Sequence, residues 1–163
     1  MDFRLAVPAT RFLIVHYHIF KNGGSTITSI LEREFRDAFA TVHGPDDVSV
    51  VDPISLADFI ADHASIQAIS SHHLRYPKPV LPNTIIFDCC FLRHPLDRLQ
   101  SLYSYFQGIL TDDPLCRLAR QEHPRSFFKK LIDSAPHLVS NVQVTMLALG
   151  GAFAFTVPSD FTE

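Results

Sequence analysis

The sequence predicts an α/β fold with a central, mostly parallel sheet and helices on both faces. Three observations carry this. Runs of apolar, β-branched residues alternate with stretches of helical periodicity. The first run ends in a glycine turn that leads directly into a helix. The second strong run ends in Arg93-His94-Pro95, where a proline opens the next helix.

The elements follow in order. Residues 12–20 are nearly continuous in apolar and aromatic side chains, which suits a buried strand. Lys21-Asn22-Gly23-Gly24 breaks the run. Ser25 and Thr26 then offer hydroxyls to cap a helix reaching about residue 39, with Ile27, Ile30, Leu31 and Phe35 as its inner face. Residues 44–54 read as a loop, 56–63 as a short helix and 64–70 as a second strand that runs into Ser71-His72-His73. Pro77, Pro79 and Pro82 mark an extended connector. Residues 84–92 form a strong apolar strand, and 95–106 a helix. Residues 108–124 are polar, with room for one short helix; further helices are expected over 126–132 and 139–149, the last stopped by Gly150-Gly151.

Composition narrows the function classes. The 163 residues are 47% apolar and 19% charged, a balance that fits a globular chain rather than a disordered one. The formal net charge of -3 gives no overall basic field, so no nucleic-acid partner is expected. Cys89, Cys90 and Cys116 are odd in number and hold no CxxC pair, which speaks for a reducing compartment. The N-terminus is interrupted by Arg11, His16 and His18, so neither a membrane span nor a signal peptide is expected, and the expected location is cytoplasmic.

Ligands of parallel sheets bind beyond the C-terminal ends of the strands. Two strands end here in anion-friendly sequence. The first gives Lys21, Asn22, Gly23, Gly24, Ser25 and Thr26: a point charge, a glycine loop, hydroxyls and a helix N-terminus. The lysine precedes the glycines, so the GxxxxGK[ST] pattern of kinases and GTPases is absent. The second places Arg93 at a strand end and Ser101 two helical turns further on.

Together, His18-Ile19-Phe20-Lys21-Asn22-Gly23-Gly24-Ser25 and Leu92-Arg93-x-Pro95-x-x-Arg98-x-x-Ser101-x-Tyr103 resemble the motifs of the PAPS-dependent carbohydrate sulfotransferases, which include the heparan sulfate 2-O-sulfotransferases and bacterial relatives. Asn141-x-Gln143-x-x-x-Leu147 is similar to a further stretch of that family. The likeness spans about residues 12–150. Phe20, Asn22 and Ser71 depart from the family's usual proline, threonine and glycine.

The resemblance implies a single, P-loop-like three-layer domain. It implies PAPS (3′-phosphoadenosine 5′-phosphosulfate) as donor and an acceptor hydroxyl, expected on a carbohydrate. Lys21, Asn22, Gly23, Gly24, Ser25 and Thr26 would hold the 5′ end, and Arg93 with Ser101 the 3′-phosphate. His72 or His73 would be the base, with Lys21 neutralising charge on the leaving oxygen. Lysine and loop supply the positive field, so no metal is expected. Members of that family continue further, so the domain reads as incomplete at its C-terminus. Three alternatives stay open: a PAP-binding remnant without transfer, a metal site on His16 and His18, and a kinase-like enzyme.

Overall fold

The computed structural model describes residues 10–46 and 49–148. Four strands form one parallel sheet: β1 (Arg11–Tyr17), β2 (Phe39–Thr41), β3 (Ala68–Ser71) and β4 (Thr84–Cys90), in the order β2-β3-β1-β4. Six α-helices are interspersed: α1 (Gly24–Phe35), α2 (Pro53–Asp62), α3 (Pro95–Gly108), α4 (Pro114–Gln121), α5 (Pro124–Ser134) and α6 (Val142–Ala148). The expected α/β class with a parallel sheet flanked by helices is what the chain adopts.

Several boundaries differ from the sequence expectation, each for a local reason. α1 stops at Phe35, because Arg36 turns left-handed (φ 48) and a short 3-10 turn delivers Phe39 into β2. The helix expected to reach residue 39 therefore yields a strand that periodicity did not signal. β3 is confined to Ala68–Ser71, with residues 64 and 65 in a turn. α2 begins earlier than expected, since Asp52 caps it by accepting from the Ser55 N–H at 2.8 Å. The polar connector contains α4, capped by Asp113. Four helices, α2 to α5, begin on a proline, whose missing N–H costs nothing in a first turn. The expected stop at Gly150-Gly151 lies outside the described residues.

Alternation along the strands sorts the two faces of the sheet. Leu13, Val15 and Tyr17 of β1 point to one side, where Leu56 and Ile60 of α2 and Met146 of α6 close over them. His16 of β1 and Ser70 of β3 point to the other, beneath α1. A second apolar cluster lies away from the sheet, where Leu102 and Phe106 of α3 meet Cys116 and Ala119 of α4 and Phe127 and Leu131 of α5. Among the described residues, no helix is long and apolar enough to cross a membrane.

The register decides where chemistry can occur. Tyr17 pairs with Ser71 on one side and with Cys90 on the other. Three parallel strands thus end at one level. The segments that begin with His18, His72 and Phe91 leave the sheet side by side.

Candidate functional site

The loop after β1 is tightly wound. The Ile19 N–H donates to the Tyr17 carbonyl (3.0 Å) and the Asn22 N–H to the Ile19 carbonyl (3.2 Å). Lys21 (φ 66) and Gly23 (φ 83) both take left-handed backbone, and Gly23 is the N-cap of α1. No side chain caps this helix. Ser25 and Thr26, expected to supply cap hydroxyls, lie inside its first turn and are exposed. Gly24 is required by contact rather than by torsion: a Cβ there would lie 1.9 Å from Cδ2 of His18. The His18 ring occupies the place of the missing side chain.

Asn22 turns inward and is 8% exposed. Its Nδ2 donates to the Phe91 carbonyl (2.7 Å) and to Oε1 of Gln143 (2.8 Å). Gln143 also grips Arg93: its Oε1 accepts from the Arg93 N–H (3.0 Å), and its Nε2 donates to the Arg93 carbonyl (3.0 Å). Arg93 Nη1 reaches back to the Lys21 carbonyl at 3.3 Å. One amide of α6 therefore clips the ends of β1 and β4 together. Asn22 was expected at the ligand; its amide is instead a strut between loops. Gln143 is the residue whose part was not read from sequence, although the Asn141-x-Gln143 spacing marked its segment.

The clip shapes a pocket of about 280 Å³. Lys21, Gly23, Gly24 and Ser25 enter it from the first loop, Arg93 from the end of β4 and Ser101 from α3. His18, Phe20, His72 and Tyr105 complete the wall. Seven of the expected site residues thus line one pocket, counting His72. Thr26 and Asn22 are not among its lining residues, and neither is His73.

The electrostatics of this pocket are one-sided. Among the described residues, its lining holds two full cations, Lys21 and Arg93, and no carboxylate. Lys21 Nζ lies 4.3 Å from the Tyr105 ring centroid and 5.7 Å from that of Phe20. Partial burial and the nearby Arg93 charge push its ammonium below its ordinary value. The N-terminus of α1 adds amides that a helix cannot satisfy internally. Such an arrangement of cations and helix amides can favour an anionic group.

His72 and His73, indistinguishable in the sequence, part company here. His72 Nδ1 donates to the His18 carbonyl at 2.6 Å, which fixes the tautomer and leaves Nε2 with its lone pair. Burial holds the imidazole below its ordinary value; the bond to the His18 carbonyl offsets this in part, and the charges of His73 and His43 add to it. Its ring lies tilted against that of His18, 3.7 Å between centroids and 34° between planes. His73 lies outside this pocket: its Nδ1 accepts from the Gly44 N–H at 2.9 Å, and its ring lies against His43.

Beneath lies a polar relay. His16 Nδ1 is 2.9 Å from Ser70 Oγ, Ser70 Oγ is 2.7 Å from Thr28 Oγ1, and Thr28 Oγ1 is 3.3 Å from His18 Nδ1. Burial, followed by the His72 charge, lowers His16 to about 4. Burial, His72 and His16 lower His18 to about 3. The stack of rings is therefore neutral at pH 7. Among the described residues, no group of three or more His, Cys, Asp or Glu is arranged to hold a metal ion.

No family model matches the chain, and no solved structure matches it. A curated relative, an uncharacterized protein of Archaeoglobus fulgidus, is 32% identical over 101 residues, covering 58% of this chain and 39% of the relative. The chain thus spans less than half of that relative's length.

Proposed function

We propose that the chain carries the nucleotide site of a PAPS-dependent sulfotransferase acting on an acceptor hydroxyl. The observation that carries this is the gathering of Lys21, Arg93, Ser101 and the α1 N-terminus around one pocket without a carboxylate, with His72 at its edge. The motif resemblance chooses among anionic ligands: it names a nucleotide with a 3′-phosphate and a 5′-phosphosulfate. A carbohydrate hydroxyl is the acceptor that the same resemblance implies.

When bound, PAPS supplies a sulfuryl group on a phosphate leaving group. The residues of this chain would do the rest. Gly23, Gly24 and Ser25 present the α1 amides to the 5′ end. Lys21 would neutralise the negative charge that grows on the leaving phosphate oxygen. Arg93 and Ser101 fix the 3′-phosphate. The Nε2 lone pair of His72 takes the acceptor's proton while the acceptor oxygen bonds to sulfur. The His18 carbonyl orients that imidazole and stabilises the imidazolium that forms. The products are a sulfate ester, PAP and a protonated His72.

Thermal unfolding with and without PAP tests the reading. A ligand at a hundred times its Kd stabilises the native state by about 2.7 kcal/mol. PAP should raise the melting temperature of the wild type but not of Lys21→Ala or Arg93→Ala. His72→Ala should keep the PAP response and lose transfer. Equal stabilisation by PAP and inorganic phosphate, or none by a folded wild type, would contradict the proposal.

A further inference from the structure

A second, larger pocket of about 480 Å³ adjoins the first and shares Phe20, His72 and Tyr105 with it. Two arginines line it, and both are buried: Arg98 is 3% exposed and Arg75 is 8% exposed. Neither forms an ion pair among the described residues. Arg98 Nη2 donates to the carbonyls of Leu138 (2.8 Å) and Val139 (3.4 Å). Arg75 Nη1 donates to those of His72 (3.0 Å) and Leu74 (2.9 Å). Arg98 Nη1 and Arg75 Nε are buried with no hydrogen-bond partner among the described residues.

Two buried guanidinium groups without a counter-charge are costly, and carbonyl dipoles offset only part of the cost. Among the described residues, the lining of this pocket contains no Asp or Glu to complete the balance. The rest of the wall is mixed: Phe106, Leu138, Val142 and Met146 join the shared Phe20 and Tyr105 on its apolar part, and Ser49, His73, His137 and Thr145 form its polar part. Cavities of this size, apolar with a few convergent polar groups, suit small organic molecules.

We infer that this pocket binds a small organic acid. Its carboxylate or phosphate group sits with Arg75 and Arg98, and its apolar body lies against Phe20, Phe106 and Met146. His72 borders both pockets, so on the sulfuryl-transfer reading this acid is the acceptor, its hydroxyl directed to the His72 Nε2. That identification rests on the proposed function; the binding of the acid does not. The acceptor is then a hydroxylated acid with an apolar or aromatic part.

The test is a titration of the full chain, followed by amide NMR, with 4-hydroxyphenylacetate, its neutral amide and glucuronate. The aromatic acid should bind at least tenfold more tightly than either of the others. Its shifts should centre on Arg75, Phe106 and Met146, and persist when PAP is present. Arg98→Met and Arg75→Met should each remove the preference for acid over amide. If neither variant folds, the wild-type ratio and shift map still decide. An amide that binds within twofold of the acid would overturn the inference. So would shifts centred on Gly23 and Ser25, and parity with glucuronate would overturn the apolar body. Binding of the acid without any PAP response would sink the nucleotide reading and leave this pocket standing. PAP binding without acid binding would do the reverse.

Discussion

At Gly24 the sequence and the site meet in a single atom. The loop needs a glycine there because the His18 ring fills the space of a Cβ, at 1.9 Å from Cδ2. Gly24→Ala should therefore cost about 1–3 kcal/mol, the range for an overpacked site, and should weaken PAP binding because the displaced ring is part of the pocket wall. Chemical denaturation and titration would show both; unchanged stability would contradict the contact. Asn22 makes a different point. It was read as a ligand group from its place in the motif, yet its amide is committed to Phe91 and Gln143. Asn22→Ala leaves Gln143 with one fewer buried partner and should lose about 1–3 kcal/mol, while Thr26→Ala, on an exposed side chain, should change stability by under about 0.5 kcal/mol. Equal losses in the two would contradict the strut. Lys21, Gly23, Arg93 and Ser101 were legible because charge, glycine and spacing are properties of the sequence. Gln143 and the inward turn of Asn22 were not, since they depend on a contact across 121 positions.

Strand ends, rather than strands, position the candidate site. The alternation of apolar runs and helical patterns was enough to predict β1, β4, α1 and α3, because each is long and strongly patterned. β2 is not signalled in the sequence since Phe-Ala-Thr is too short to carry a period, and only the three-residue 3-10 turn that begins at the left-handed Arg36 separates it from the preceding helix. Between β1, β3 and α1 lies the His16–Ser70–Thr28–His18 relay, and it has a consequence for acid stability. His16 is lowered to about 4 and His18 to about 3, both from 6.5 and both mainly by burial. Between those values and 6.5 the unfolded chain binds protons that the native chain refuses. Stability is thus fully present above pH 6.5 and falls as pH drops toward about 4. Melting temperature should decline between pH 6.5 and 5, a window above the carboxylate range, and His16→Gln should flatten the decline. A wild-type melting temperature that holds level across that window would contradict a neutral buried stack.

The whole molecule brings two apolar clusters together around the pockets. The sheet cluster fixes the strand ends, and the α3–α4–α5 cluster holds Ser101, Tyr105 and Arg98 against them. Among the described residues β4 lies at the edge of the sheet, and Ile85, Phe87 and Phe12, on the same sheet face as His16, are 45%, 56% and 56% exposed. Such an edge favours association, so sedimentation at rising concentration should show self-association that Phe87→Lys reduces; a monomer at all concentrations would contradict this. The fold class was legible as a whole because alternating strands and helices admit few layer arrangements. The meeting of the two loops in one pocket was not, because it follows from the shared register of Tyr17, Ser71 and Cys90. The most direct measurement is calorimetric titration of the chain with PAP and with adenosine 5′-monophosphate. On the proposed reading, in which Lys21 and the α1 N-terminus would hold one phosphate and Arg93 with Ser101 the other, PAP should bind in the micromolar range, about -8 kcal/mol, and at least tenfold more tightly than the monophosphate. Equal affinity for the two nucleotides, or no binding by the folded chain, would contradict a site built for both phosphates.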